Sequence, residues 1–146
     1  MVDFLVIGPF SLVTYKDTFP LIKDRIIRLG WNRVGKFSDG SKFGNILWFS
    51  TIGGGVHPVL QLKDCDIDKI KRYDNYDAIN IDRTEDIPSN YYGEMGVPIS
   101  FLEQWNPDQF DVLRISANWL DDKFNGLKSQ YIDGKKIFAK IFIKRK

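Results

Sequence analysis

Two groups of side chains in this sequence have the chemistry needed to contact a nucleic acid. One is a set of basic residues in the first third of the chain, and the other is a run of one asparagine and two tyrosines. Positively charged side chains bind the phosphate backbone, and aromatic rings stack on bases. The alternative is ordinary surface and core use, because one sequence does not show whether the groups share a face. The candidate nucleic-acid-binding residues are Arg33, Lys36, Lys42, Asn90, Tyr91 and Tyr92.

The residue types that usually carry catalysis or bind metals are present but lack suitable spacing. His57, the only histidine, stands beside Pro58 with no nearby set of triad residues or zinc ligands. Cys65 lies between two aspartates, whose negative charge opposes thiolate formation. The aspartates of residues 64–82 lack the register of a calcium loop, and the glycines at 53–55 lack the pattern of a phosphate-binding loop. We therefore predict no catalytic, metal-binding or cofactor-binding residue in this chain.

Charge is nearly balanced overall but unevenly distributed along the chain. There are 21 basic and 19 acidic side chains, for a formal net charge of +2. Residues 15–42 hold seven basic and three acidic groups, whereas residues 64–88 hold eight acidic and four basic groups. The total neither indicates nor excludes a nucleic-acid partner. The two stretches are expected to carry opposite electrostatic fields, and the acidic stretch is predicted to be a solvated face.

Length and composition predict one compact domain in a reducing compartment. A chain of 146 residues with 43% apolar residues can form a single core. Its one cysteine cannot form an internal disulfide, and its first residues lack the features of a signal peptide. No apolar run approaches the roughly 20 residues that span a bilayer. The expected location is therefore the cytoplasm, with no membrane contact.

The sequence begins with an apolar run that predicts a buried strand. Residues 4–7 are all apolar and are closed by Gly8 and Pro9, a pattern typical of a strand buried on both faces of a sheet. Such a strand needs partners on both edges to pair its backbone. We therefore expect a further portion of the protein on its N-terminal side.

A helical segment and a hairpin are predicted next. Residues 14–29 have helical spacing, with Pro20 in a first turn or at a break. The expected result is two short pieces, or a helix that runs into a strand at residues 26–27. A cluster of turn residues between the segments 33–37 and 45–49 predicts an antiparallel hairpin.

The C-terminal part of the sequence predicts an irregular acidic stretch followed by antiparallel strands. Within the irregular stretch, residues 78–81 favour a short strand. Residues 113–117 and 137–143 alternate between apolar and polar side chains, which is typical of half-buried strands. Asp133-Gly134 lies between extended runs and is a strong hairpin signal.

Much of the chain resembles one family of DNA-modifying enzymes. The resemblance is carried by residues 4–8, 14–23, 73–82, 86–88, 93–102, 105–110 and 139–146. These segments are similar to the EcoRI-type adenine-specific DNA methyltransferases, and residues 73–99 form the most specific block. The resemblance implies methyl transfer from S-adenosylmethionine to adenine N6 in duplex DNA, on a Rossmann-like sheet, in a restriction-modification system. It implies that this chain corresponds to the C-terminal half of such an enzyme.

The chain departs from this family at the catalytic and cofactor motifs. Residues 7–10, Ile-Gly-Pro-Phe, are superficially similar to the Asn/Asp-Pro-Pro-Phe/Tyr tetrapeptide that holds an extruded adenine. They lack the polar side chain that accepts from the adenine amino group. The glycine-rich strand end that binds S-adenosylmethionine in the family is also missing. We therefore expect no cofactor in this chain and no catalysis by the chain alone.

The sequence as a whole predicts an α/β fold in two parts that pack as one compact unit. Residues 1–56 are predicted to be the final strands of a Rossmann-like methyltransferase sheet, and residues 57–146 an antiparallel, loop-rich C-terminal extension. Duplex DNA is the predicted partner of that extension. A stand-alone DNA-binding module is one alternative, and the other is a non-catalytic remnant that associates with a missing N-terminal half or with itself.

Overall fold

The computed structural model describes residues 2–30, 34–36, 38–53, 56–116 and 129–146. It combines antiparallel and mixed sheets with little helix, so the fold class is α/β. Contacts between residues group the chain into two compact units, Met1–Gly55 and Val56–Lys146. We call these unit 1 and unit 2 and describe each by itself. Within the described residues, no helix is long and apolar enough to cross a membrane.

Unit 1 is an antiparallel sheet built around one long strand. Its strands are β1 (Leu5–Pro9), β2 (Arg28–Leu29), β3 (Val34–Lys36) and β4 (Lys42–Ser50). The order is β1-β4-β2, and β3 also pairs with β4. Because β1 and β2 are both antiparallel to β4, they run in the same direction. The chain between them contains a 3-10 helix, Phe10–Thr14, and the helix α1, Phe19–Lys23.

The helix and the hairpin of unit 1 follow local rules. Pro20 lies in the first turn of α1, which is one of the two positions predicted for it, because a first-turn residue needs no amide hydrogen. The helix is much shorter than the predicted segment, and the chain enters a strand at Arg28 rather than at residue 26, so the helix-then-strand alternative is confirmed with a small shift. The predicted hairpin is also confirmed. At its turn Asp39 Oδ1 accepts from the Ser41 hydroxyl at 2.6 Å and from the Ser41 amide at 2.8 Å, and these two hydrogen bonds, in that order, lower the pKa of Asp39.

The burial predicted for β1 is wrong. Leu5, Val6 and Ile7 are 56%, 48% and 43% exposed, and only Gly8 of this strand is buried. Among the described residues β1 pairs with β4 alone, so it is an edge strand. An apolar run indicates that a strand can be buried on both faces. Whether it is buried depends on elements that pack against those faces, and the described residues of unit 1 do not cover β1 in this way.

Unit 2 contains a four-stranded mixed sheet and a separate hairpin. The sheet strands are β5 (Ile79–Asn80), β6 (Met95–Val97), β7 (Phe110–Ile115) and β10 (Ile141–Arg145). Their order is β5-β6-β10-β7, with β5 parallel to β6 and the other pairs antiparallel. The hairpin strands are β8 (Tyr131–Ile132) and β9 (Lys135–Lys136).

The core of unit 2 forms around β10. Ile141, Phe142 and Ile143 are all fully buried, so this strand is covered on both faces and not half-buried as predicted. The strand also begins at residue 141 and not at 137. The ring of Phe142 lies 5.5 Å from that of Tyr73 and 6.0 Å from that of Tyr76. Tyr73 and Tyr76 therefore cover the face of β10 that the alternating pattern assigned to solvent, which explains why that pattern misstated the burial.

The remaining strand predictions in unit 2 are largely confirmed. The strand predicted at 113–117 is present as β7, and Ile115 is buried as the alternation predicted. Val112 is buried in place of Leu113, because the register shifts opposite Phe142 and Ile143. Ala117 lies outside the described residues. The short strand at 78–81 is present as β5.

The irregular stretch and the predicted hairpin behave as their residue types suggest. The acidic stretch is mostly irregular, with short 3-10 helices at Ile67–Lys69 and Thr84–Asp86. The Asp133-Gly134 hairpin is confirmed: its two turn residues have φ values of 51° and 76°, the conformation that Asp-Gly favours in a two-residue turn.

Candidate nucleic-acid interface

Residues 89–93, which we call the tyrosine segment, are fixed to the rest of unit 2 by backbone contacts. The Ser89 amide donates to the carbonyl of Lys63 at 3.0 Å. Arg145, in the last position of β10, donates through Nη1 to the Ser89 carbonyl. The start of the segment is thus held between an extended strand-like contact on one side and the C-terminal strand on the other.

Asn90 fastens the tyrosine segment to the loop that carries Cys65. Its Nδ2 donates to the Cys65 carbonyl at 2.8 Å, and its Oδ1 accepts from the Cys65 amide at 3.1 Å. Both atoms of the side-chain amide are therefore engaged in the fold. A base-reading role for Asn90 would require these two hydrogen bonds to break first, so its contribution here is to position the two residues that follow.

Tyr91 and Tyr92 each lie against an arginine. The guanidinium carbon of Arg145 is 4.7 Å from the centre of the Tyr92 ring, within the range of a cation–π contact, and Tyr92 is 58% exposed. Arg72 pairs with Asp77 and also hydrogen-bonds Tyr91, and these two contacts, in that order, raise the pKa of its guanidinium. The tyrosine segment therefore presents two aromatic rings with a positive group beside each.

Local sequence explains the sharp course of the chain after the two tyrosines. At Gly93 a side chain would collide with the Tyr91 ring, since an added Cβ would lie 2.6 Å from Tyr91 Cζ. Because Gly93 has no side chain, the Tyr91 ring can lie directly against its backbone. Tyr91 remains partly exposed, so its position depends on this contact and on Arg72.

A chain of polar side chains runs from β5 to the segment before β10. The Tyr73 hydroxyl donates to Asn80 Oδ1 at 2.8 Å, and Asn80 Nδ2 donates to Asp82 Oδ1 at 2.9 Å. Lys140 Nζ donates to the Ile81 carbonyl at 2.9 Å and lies 3.7 Å from Asp82 Oδ1. Burial raises the pKa of Tyr73 and lowers that of Lys140. These groups satisfy one another and hold the sheet together, so we assign them no catalytic role.

Unit 2 also has a polar cavity of about 440 Å³. It is lined by Leu60, Gln61, Asp82, Arg83, Thr84, Glu85, Pro98, Ser100 and Gln104. Arg83 within it is neutralised by Asp86 and Glu85, with Nε 2.9 Å from Asp86 Oδ2 and Nη1 2.7 Å from Glu85 Oε1. The Asp86 contact is the main reason that the pKa of Arg83 is raised. None of the residues predicted to bind nucleic acid lines this cavity.

The three basic candidates of unit 1 can be placed only in part. Arg33 lies outside the described residues, and so do the side chains of Lys36 and Lys42. The backbone does bring Lys36 and Lys42 together, because they face each other across the β3–β4 hairpin. Their DNA contact stays a prediction.

The two tyrosines were predictable from the sequence, but their arginine partners were not. Arg72 and Arg145 lie far from the tyrosine segment in the chain, one within the irregular acidic stretch and the other at the end of β10. No local motif marks either residue. The one available signal was the basic end of the sequence, residues 144–146, which sequence analysis read only as the end of a strand.

The residues considered for metal binding or nucleophilic catalysis have structural surroundings. The carbonyl of His57 accepts from Asn106 Nδ2 at 2.7 Å. Cys65 is partly exposed, and its backbone is engaged by Asn90. In the part of the chain that the structure describes, three or more His, Cys, Asp or Glu side chains do not come together as a metal site.

Comparison with known proteins defines the class to which this fold and surface belong. The family model described as adenine-specific methyltransferase EcoRI matches residues 32–146. The chain therefore belongs to the EcoRI adenine-specific methyltransferase family, as the resemblance predicted. No solved structure matches the chain.

Individual relatives are type II methyltransferases. M.EcoRI of Escherichia coli is 32% identical over 169 residues, which cover 98% of this chain and 50% of that protein. M.MgeORF184P of Mycoplasma genitalium is 26% identical over 180 residues, covering 98% of this chain and 57% of that protein. M.MpnI of Mycoplasma pneumoniae is 30% identical over 145 residues, covering 80% of this chain and 45% of that protein. The chain thus spans about half the length of the curated relatives it matches.

Proposed function

We propose that this chain is the DNA-contacting, C-terminal part of an adenine-N6 DNA methyltransferase of a restriction-modification system, and that it does not transfer methyl groups alone. The observation that carries the DNA contact is the pairing of Tyr91 with Arg72 and of Tyr92 with Arg145 on one short segment. The segment lies inside the range that matches the family. The proposal includes a cytoplasmic location, where a single thiol stays reduced.

The arrangement of the two arginines supports binding to phosphates. Arg145 uses Nη1 for the Ser89 carbonyl, which holds its planar fork in place, and within the described part of the chain its other donors make no hydrogen bond and can meet an anion. Arg72 pairs with Asp77, whose side chain is 95% exposed. An exposed pair of this kind contributes little to stability, so a phosphate can replace Asp77 at low energetic cost. The rings beside the arginines would then lie next to sugars or exposed bases.

Unit 1 is proposed to be the last part of a Rossmann-like sheet. Its strands β1 and β2 run in the same direction and are joined by a segment that contains α1, which is the connection expected of a βαβ unit. The hairpin strand β4 lies antiparallel between them. This supports the predicted combination of final sheet strands with a hairpin.

The residues at the end of β1 do not fit S-adenosylmethionine, the cofactor that the family implies. A Cβ at Gly8 would lie 2.8 Å from Leu12 Cδ1 and 3.2 Å from Phe49 Cε2, so apolar side chains already fill the space beside this glycine. Ile7, Pro9 and Phe10 provide no side-chain acceptor for a ribose or an adenine amino group. We therefore derive no reaction step through the cofactor from these residues.

The test of DNA contact is a titration of duplex DNA over a range of salt concentrations. Each phosphate contact contributes roughly 0.9 to the slope of log affinity against log salt. We expect Arg145→Gln and Arg72→Gln each to weaken binding and to reduce that slope by about 0.9, the contribution of one phosphate contact. Arg83→Gln is the matched control, because Arg83 is also an exposed, ion-paired arginine of unit 2 but pairs with Glu85 and Asp86 and lines the separate polar cavity. Equal slopes for all three variants would contradict the proposed surface.

A second candidate function, association with the complementary part of a methyltransferase, is favoured by the edge of β1. Leu5, Val6 and Ile7 are all exposed on a strand whose other edge has no partner among the described residues. An exposed apolar edge of this type pairs readily with another strand. The occupant that fits is the part of the relatives outside the half that this chain matches, which we propose to be their N-terminal part.

This association can be measured by sedimentation with the separately produced N-terminal half of M.EcoRI. Complex formation that is lost in Val6→Lys but kept in Ile52→Lys, another exposed apolar position, would support pairing through β1. Self-association of the chain with no binding to the added half would mean that a second copy occupies the edge. A monomer that binds neither would contradict this candidate.

A further inference from the structure

Phe138 is an exposed aromatic residue that the tyrosine segment does not include. Its side chain is 94% exposed, more than any other large apolar side chain of the described residues. Single exposed apolar residues are common on protein surfaces, so exposure alone does not define a site. The surroundings of Phe138 are what distinguish it.

The backbone on both sides of Phe138 is firmly held. Its carbonyl accepts from Nε2 of the buried Gln130, and the Ile137 amide donates to the Gln130 carbonyl at 3.1 Å. On the other side the Lys140 amide donates to Ser116 Oγ at 2.9 Å, and the Lys140 carbonyl accepts from the Ser116 amide at 2.9 Å. The phenyl ring is thus displayed by a short segment that is fixed at both ends. Such preorganisation reduces the entropy lost when the ring is inserted into a partner.

The chain immediately before Phe138 is basic. Lys135 and Lys136 form β9 and are both exposed. Two carboxylates lie at the adjacent turn: Asp133 pairs with Lys71, at 2.9 Å between Lys71 Nζ and Asp133 Oδ2, and Asp74 accepts from the amides of Asp133 and Gly134. Lys71, Lys135 and Lys136 outnumber these two carboxylates, so the formal charge beside the ring is positive, which fits a polyanion better than an apolar protein surface.

We propose that Phe138 is a wedge that enters the base stack of duplex DNA, with Lys135 and Lys136 contacting the phosphates that flank the insertion. Enzymes that modify a base extrude it from the duplex, and apolar side chains inserted between base steps accompany such distortions. The ring would occupy the space that the extruded adenine leaves. This inference rests on the proposed function and adds a residue that contacts the interior of the duplex.

The experiment compares two duplexes of identical sequence, one intact and one with a single abasic site that provides a ready gap. The full chain is titrated with each at the same salt concentration. A stacked aromatic ring is expected to make the gapped duplex bind about tenfold more tightly. Phe138→Ala should abolish this preference and leave the affinity for the intact duplex unchanged. Phe138→Trp should restore the preference, since its ring can stack in the same gap.

The control variant is Tyr15→Ala, which removes another exposed aromatic side chain that stands beside a lysine, in unit 1. It should retain the preference for the gapped duplex. Equal binding of both duplexes by the wild-type chain, or a preference that survives in Phe138→Ala, would overturn the wedge while leaving the proposed DNA contact intact. Absence of binding to any duplex would overturn the proposed function, and the wedge with it. Loss of binding to the N-terminal half of M.EcoRI in Phe138→Ala, with unchanged DNA binding, would assign the ring to a protein partner and contradict the proposal.

Discussion

Substitution of Gly96 by alanine is expected to destabilise unit 2 strongly, for a reason that can be worked out from atomic positions. Gly96 lies in the middle of β6 and is buried. An added Cβ would lie 2.7 Å from Tyr73 Cζ and 2.9 Å from Cε2, and would overlap the hydroxyl oxygen. Tyr73 is only 5% exposed and packs on Phe142, so it has little room to move. The hydroxyl would also leave Asn80.

Two terms give the expected magnitude. Overpacking a core by one carbon costs about 1–3 kcal/mol, and loss of the hydrogen bond from Tyr73 to Asn80 costs about 1 kcal/mol. Gly96→Ala should therefore lower the free energy of unfolding by about 2–4 kcal/mol, a large part of the 5–15 kcal/mol typical of small domains. Chemical denaturation in urea measures this difference, provided that the slope with denaturant is unchanged.

The matched control is Gly93→Ala, where the added Cβ also meets a tyrosine ring. Tyr91 is partly exposed and can rotate into solvent, so the expected cost is below about 1 kcal/mol. In the double variant Gly96→Ala with Tyr73→Phe the closest overlap is removed, and the total loss should be smaller than the sum of the single losses. Equal costs for Gly96→Ala and Gly93→Ala, or strict additivity in the double variant, would refute the steric reasoning.

Three further predictions concern pH and backbone conformation. Burial raises the pKa of Tyr73 above its ordinary 10.0, so above pH 10.0 the unfolded chain releases a proton that the folded chain keeps. At pH 11 this difference lowers the free energy of unfolding by about 1.4 kcal/mol. Tyr73→Phe should remove this pH dependence, as measured by urea titrations. Burial lowers the pKa of Lys140 below 10.5, so at pH values between the folded-state pKa and 10.5 the unfolded chain binds more protons than the folded chain. The free energy of unfolding of the wild type, relative to Lys140→Met, should therefore rise with pH through this window and level off above it. Gly134 has a φ of 76° with open space around it, so Gly134→Ala should destabilise the fold through backbone strain alone. The expected loss in the free energy of unfolding is about 1 kcal/mol, measured as a lower melting temperature.

Elements fixed by local chemistry were predictable from the sequence. The two hairpins follow from short turn clusters, whose glycines reach positive φ, and the start of α1 follows from the position of Pro20. These features depend on residues that are close together in the chain. Their prediction therefore did not require knowledge of the tertiary fold.

Burial could not be predicted in the same way, because it depends on which strands become neighbours. The apolar run in β1 suggested a central strand, yet Val6 remains exposed at an edge. The alternating pattern in β10 suggested one exposed face, yet Phe142 on that face is buried against Tyr73 and Tyr76. In both cases the pattern described the side chains correctly but carried no information about which elements cover each face.

The candidate surface was predictable in half of its members. Tyr91 and Tyr92 were identified by type, whereas Arg72 and Arg145 became neighbours only through the fold. Asn90 was selected as a DNA contact, but its amide closes a loop, a role that a consecutive run of residues does not reveal. Pairwise contacts between distant segments are the information that a single sequence lacks.

The most direct test of the account is a titration of duplex DNA at roughly 50 mM and 200 mM salt, with and without S-adenosylmethionine. We predict binding that weakens as salt increases, an affinity that the cofactor does not change, and no methyl transfer to adenine. Tighter DNA binding or methyl transfer in the presence of the cofactor would contradict the proposed lack of a cofactor site in this chain. Absence of DNA binding at both salt concentrations would contradict the proposed DNA contact.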